Sequence, residues 1–146
     1  MVDAPIGPHP GNKLKMAVVK HGGRPARTGF LVLERYRDFT LVRLFPKTGK
    51  THQIRVHLKH VGMPLAVDPL YNPPKPGTEP GVRLSQFKRD YRLTRGEEER
   101  PLIERLTLHA HRLTFANVDG ARVTVEADLP KDFRALLNQL RRHSRR

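Results

Sequence analysis

The sequence predicts an α+β fold, an antiparallel or mixed β-sheet with a few packed helices. Three observations carry that reading. Residues 28–36 and 39–45 alternate apolar and polar side chains around a tight Arg37-Asp38 connection, as the arms of an antiparallel hairpin do. Residues 106–127 repeat the pattern around Asp119-Gly120, a dipeptide suited to a hairpin turn. Phe133, Leu136, Leu137 and Leu140 recur at the i, i+3, i+4, i+7 spacing of an amphipathic helix, with Pro130 suited to its first turn.

Taken in order, residues 1–15 read as an irregular lead-in, because Pro5, Gly7, Pro8, Pro10 and Gly11 interrupt any periodic pattern. Met16–Val19 is a short strand candidate, followed by a turn at 21–25. The first hairpin runs straight into a dense stretch, residues 45–71, where Thr, His, Gln, Arg and Lys crowd among apolar side chains. Two geometries compete there. As a strand, Ile54, Val56 and Leu58 alternate with Gln53, Arg55 and His57. As a helix, Ile54, Leu58 and Val61 share one face while His52, Arg55 and Lys59 share another. The helix is favoured: Thr51 is a candidate cap, Gly62 with Pro64 is a stop, and Val56 on the polar side implies contact on both faces. Gly49 would permit the tight turn that precedes it. Residues 72–101 read as a long loop rich in Pro and Gly, and loops of that length tend to be functional or mobile. Residues 141–146 form a basic tail, expected to fray and to be open to phosphates.

Composition narrows the partner. Lys and Arg number 28 against 14 Asp and Glu, a formal charge of +14 with a pI near 11.1, which points to a polyanion and most often to nucleic acid. No apolar run reaches membrane-spanning length and no signal-like core opens the chain. Cysteine is absent, which excludes disulfide and thiol chemistry and fits a reducing cytoplasm. The eight histidines lack the cysteine or acidic companions of a known metal spacing, so no metal site is expected.

The central stretch also carries a resemblance. Thr48-Gly49-Lys50-Thr51-His52-Gln53-Ile54-Arg55-Val56-His57-Leu58, followed by Gly62-x-Pro64 and Asp68-Pro69-Leu70-Tyr71, is similar to the signature of the RluA-type RNA pseudouridine synthases. Leu108-His109-Ala110 with Leu113 and Phe115, the Asp128-Leu129-Pro130 ending, Ala26-x-Thr28 and the Pro5-Ile6-Gly7 opening extend it, so that residues 1–146 align with the C-terminal portion of that family's catalytic domain. Val67 and Asn72 depart from the glycines usual at those positions.

The resemblance implies isomerisation of uridine to pseudouridine in rRNA or tRNA, without metal or diffusible cofactor. It also implies an essential Asp in a His-Arg-Leu-Asp motif, paired with a basic residue. That motif does not occur here: the similar run His111-Arg112-Leu113-Thr114 ends in Thr. Arg55 matches the carboxylate-pairing residue, since a guanidinium can hold a carboxylate bidentately and keep it ionised. Lys47, Thr48, Gly49, Lys50, Thr51, His52 and Gln53 become candidates for RNA binding or support of the site. Asp68 is read as a turn residue rather than a nucleophile.

Two functions follow. The chain is a partial synthase, inactive alone, whose Arg55 awaits a carboxylate that these residues do not contain and that an N-terminal half would supply. Alternatively, it is a non-catalytic RNA-binding module derived from the family. The first reading adds a structural expectation, an unpaired sheet edge and an exposed apolar face.

Overall fold

The computed structural model describes residues 1–144. The α+β expectation holds. Strands β1 (Val2–Asp3), β2 (Ile6–Pro8), β3 (Met16–Val18), β4 (Arg27–Arg35) and β5 (Thr40–Pro46) come first, then helix α1 (Gln53–His60). A single 3₁₀ turn at Leu84–Gln86 follows, then strands β6 (Arg112–Ala116) and β7 (Arg122–Glu126) and helix α2 (Lys131–His143). All pairings are antiparallel: β1-β4-β5 in one sheet, β2 with β3, and β6 with β7.

The irregular lead-in expected over residues 1–15 is corrected. Val2 pairs with Thr28 and Ile6 with Val18, and both side chains are buried. The prolines misled because the strands are two and three residues long: Pro5 falls between them and Pro8 at the end of the second. A short strand needs no internal stretch of N–H donors, so a proline at its boundary costs it little.

β4 and β5 form the expected hairpin. Phe30 lies opposite Leu44 and Val32 opposite Val42 on one half-buried face. Between Val32 and Glu34 the register slips by one, a bulge that leaves Leu33 unpaired and 42% exposed. Leu31 and Phe45 are exposed as well.

Two clusters make the interior. In the first, α2 lays Leu136, Leu137 and Leu140 against Tyr36, Val67, Val82, Phe87 and Ile103. Residues 72–101 are nearly free of regular structure, as expected, yet they supply Val82 and Phe87 to this core. They are tied down by backbone bonds in both directions between Val82 and the 102–103 segment. Gly81 is required there, because its φ is +110° and a Cβ would stand 2.8 Å from the Ile103 carbonyl oxygen. The second cluster packs Ile6, Ala26, Val56 and Tyr71.

The basic tail is also corrected. Arg141, Arg142 and His143 continue α2, and the Arg141 guanidinium binds both oxygens of Glu34 while Tyr36 donates its hydroxyl to the same carboxylate. Arg145 and Arg146 lie outside the described residues.

The β6–β7 hairpin turns at Gly120, with φ +79° and the Asn117 carboxamide accepting from Asp119 and Ala121. One of its faces carries Leu113 opposite Val125 and Phe115 opposite Val123. Among these, Leu113 is 60%, Phe115 45% and Val125 47% exposed, so this apolar face is uncovered, as expected.

Candidate active-site cleft

Helix α1 positions the site. Its end is a Schellman motif: Gly62, at φ +76°, donates to the Lys59 carbonyl and Met63 donates to Leu58. Gln53, Val56, His57 and Leu58 are buried, so the helix is covered on more than one side, as its mixed polarity implied. Its start differs from expectation. His52, not Thr51, is the capping residue; it sits in the left-handed region at φ +56°, and Thr51 is exposed. Gly49 has no positive φ and open space around its Cα, so the turn does not require glycine there. The backbone strain falls on His52, alone among the described non-glycine residues.

Side chains rather than a cap fix the turn before the helix. Thr48 Oγ1 accepts from the Arg27 amide at 3.0 Å and donates to Gln53 Oε1 at 2.7 Å. Gln53 Oε1 also accepts from the Lys50 amide, and its Nε2 donates to the Arg27 carbonyl and to Thr28 Oγ1. Thr28 Oγ1 lies 2.9 Å from His57 Nδ1, and His57 Nε2 lies 2.9 Å from the Ala4 carbonyl oxygen. A carbonyl can only accept, so His57 Nε2 carries a proton and donates to Ala4, while Nδ1 pairs with the Thr28 hydroxyl. Every polar atom of this buried relay has a partner, which lets Gln53, Thr28 and the fully buried His57 sit inside without an orphan cost. His57, Thr28 and Tyr71 stand in the motifs quoted from the sequence but were not named there as site residues. Thr28 and Gln53 stand 25 residues apart, and nothing local to either signals that they meet.

Arg55 has a partner that the sequence did not reveal. Its carboxylate partner lies within this chain: Nε donates to Asp68 Oδ2 at 2.9 Å and Nη2 to Oδ1 at 2.7 Å. Asp68 is 1% exposed, and its Oδ1 also accepts from the amides of Leu70 and Tyr71, the turn role expected of it. Burial pushes the Asp68 carboxyl upward, but the Arg55 fork and the two amides outweigh it and hold it below the usual carboxylate range. The same pair raises Arg55. The guanidinium also lies over the Tyr71 ring, 4.9 Å from its centroid. Its Nη1 has no protein partner among the described residues.

Tyr71 in turn holds His52. Its oxygen accepts from the Met16 amide at 2.9 Å and lies 2.8 Å from His52 Nδ1, with the two rings edge to face. Burial, then the positive charge of Arg55, lowers the His52 pKa, so the imidazole stays neutral near pH 7.

These groups open on a cleft of about 280 Å³ lined by Pro46, Thr48, Gly49, Lys50, His52, Gln53, Ile54, Arg55 and Leu108. Six of the eight residues singled out from the sequence therefore converge; Lys47 and Thr51 do not line it. Lys47 is exposed, with its amide bonded to the Arg27 carbonyl. Among the described residues no group of three His, Asp or Glu side chains is placed to hold a metal ion. No helix among the described residues is long and apolar enough to cross a membrane.

Comparison with known proteins gives the chain's family. A family model described as RNA pseudouridylate synthase matches residues 1–60. The ribosomal large subunit pseudouridine synthase D of Neisseria meningitidis serogroup B is 40% identical over 141 residues, 96% of this chain and 34% of that protein. The protein of the same name from Nitrosomonas europaea is 39% identical over 144 residues, 97% of this chain and 36% of its own length. The chain thus spans about a third of the curated relatives it matches. The solved structure of human RNA pseudouridylate synthase domain containing 4 shares the fold with a TM-score of 0.58 at 24% identity, covering 96% of this chain and 55% of that one. Human RNA pseudouridylate synthase domain containing 1 does so at 0.59 and 23%, covering 88% and 47%. These residues belong to the RluA-type RNA pseudouridine synthase family and correspond to the C-terminal portion of its members.

Proposed function

We propose that the chain is part of an enzyme that converts uridine to pseudouridine in RNA of the large ribosomal subunit, in the cytoplasm, with the essential carboxylate supplied from outside these 146 residues. The observation that carries the reading is the way Arg55 is held. Asp68 occupies the Nε–Nη2 edge, Nη1 has no protein partner among the described residues, and Arg55 lines the cleft. A guanidinium can serve two carboxylates at once, one on each edge. Asp68 aims it; a second carboxylate docking end-on would be kept ionised.

In the reaction the C1′–N1 bond of uridine breaks, the uracil turns, and C1′ bonds to C5. The C5 proton leaves and N1 gains one. No metal or diffusible cofactor enters that balance. The base must first leave any stack to reach the carboxylate. Lys50 beside the cleft and Lys47 outside it suit the phosphates flanking such a nucleotide, and the charge of +14 favours the encounter. The uncovered face of the β6–β7 hairpin fits a surface that a further, N-terminal segment covers.

The test is to join residues 1–144 to the region that precedes the matching segment in the Neisseria meningitidis relative and assay pseudouridine formation in ribosomal RNA. Turnover by the joined protein, falling about a hundredfold in Arg55→Ala, supports the reading. A folded joined protein that binds RNA without turnover favours the second reading, a non-catalytic RNA-binding module, to which the same basic charge is equally suited.

A further inference from the structure

His52 is over-determined for a residue at a helix start. It holds the left-handed φ of +56°, a conformation that persists in non-glycine residues where surrounding contacts enforce it. The enforcing contact is Tyr71. The Tyr71 oxygen accepts from the Met16 amide, and its own proton can point at His52 Nδ1, 2.8 Å away. The imidazole then carries its single proton on Nε2. Nε2 has no protein partner among the described residues, and the ring lines the cleft beside Arg55 and Lys50. In that arrangement the backbone turn and the Tyr71 hydroxyl present an N–H donor at the cleft wall. Full positive charges stand at Lys50 and Arg55 for anionic groups; an uncharged donor between them matches an uncharged acceptor.

We infer that His52 Nε2 donates a hydrogen bond to a carbonyl oxygen of the uracil held in the cleft, which makes His52 a specificity-determining residue for the reaction proposed above, a reading on which this inference rests. The group acts on the base, not on the phosphate chain; at the O4 position of uracil it meets an acceptor where cytosine carries an amino donor.

The experiment compares binding of a short oligouridylate with that of an abasic ribose-phosphate chain of equal length, using wild type and His52→Asn. Asparagine tolerates the left-handed backbone and removes the imidazole donor. The expected result is an oligouridylate affinity about fivefold weaker in the variant, with abasic-chain affinity unchanged. Equal loss on both ligands would assign the contact to the backbone and overturn the inference, as would no loss on either. Should His52→Asn fail to fold, the Cε1–H resonance of wild-type His52 decides: it shifts with oligouridylate and not with the abasic chain, and a resonance unmoved by oligouridylate overturns the assignment. Failure of the wild-type protein to bind either ligand would instead overturn the RNA reading itself.

Discussion

Arg55 and Asp68, thirteen residues apart in sequence, form a bidentate ion pair that closes the loop after α1 onto the helix itself. The guanidinium side chain is 14% exposed and the carboxylate side chain 1%. Removing one partner of a pair this buried leaves an uncompensated charge, which costs more than the pair itself is worth. Arg55→Ala should lower unfolding free energy by about 3 kcal/mol. Asp68→Asn, whose carbonyl still accepts from the Leu70 and Tyr71 amides, should cost less. Urea denaturation of the two variants checks the order.

The same pair sets an acid limit. Asp68 titrates below its ordinary value in the folded chain, so its contribution is complete above the unfolded pKa of about 3.9 and fades as pH falls through the folded one. Asp132, held low first by its hydrogen bond from Arg105, adds in the same direction. The urea midpoint should drop steeply below about pH 4. Asp68→Asn should remove part of that slope and Asp132→Asn a smaller part.

Gln53 should be the least replaceable residue of the turn. Gln53→Leu leaves the Lys50 amide without its partner and strips one hydrogen bond each from the Thr48 hydroxyl, the Arg27 carbonyl and Thr28 Oγ1. The expected loss is about 3 kcal/mol, a fall in melting temperature of roughly 6–12 °C for a chain of this size. Thr51→Ala, at an exposed residue without a capping bond, should shift the melt hardly at all. Differential scanning calorimetry of both variants tests the contrast.

Tyr36 gives an alkaline marker. Burial, then the hydrogen bond and negative charge of Glu34, pushes its pKa up to about 12. A group raised on folding stabilises the fold below its unfolded pKa, and that contribution is lost as pH climbs from about 10 through 12. Ultraviolet titration of wild type minus Tyr36→Phe should give a midpoint near 12. Glu34→Gln should move it down.

The β6–β7 face offers a prediction of little change. Leu113→Thr and Val125→Thr replace exposed apolar side chains on a pleated surface, so chemical stability should stay within about 0.5 kcal/mol of wild type. Binding of a hydrophobic dye should fall and the solubility limit should rise. A large loss of stability would mean that this face is covered in solution by another molecule.

The sequence carried the elements whose information is local. The β4–β5 and β6–β7 hairpins and α2 follow from periodicity, and the stop of α1 follows from Gly62. Three things were not local. Residues 1–15 form strands only because Thr28 and Val18 lie ready to pair with them, and a two-residue strand leaves no period to read. Arg55 was legible as a carboxylate grip, but its partner was sought outside the chain while Asp68 stood on the same motif; spacing alone does not say that a loop folds back. The strain at His52 left no mark at all, since the neighbouring glycine offered the easier explanation. Arg141 was read as free because a run of arginines at a terminus resembles a solvated end, and the partner that claims it is Glu34, 107 positions away.

The hydrogen bond from His57 to the carbonyl of Ala4 gives the relay beneath the cleft an anchor in the link between β1 and β2. A polypeptide joined ahead of Met1 would therefore be coupled through Ala4 to His57, Thr28, Gln53 and Thr48 in succession. Tension there would be felt as tilt of the Lys50 loop, so a junction engineered at this end ought to include slack before residue 2.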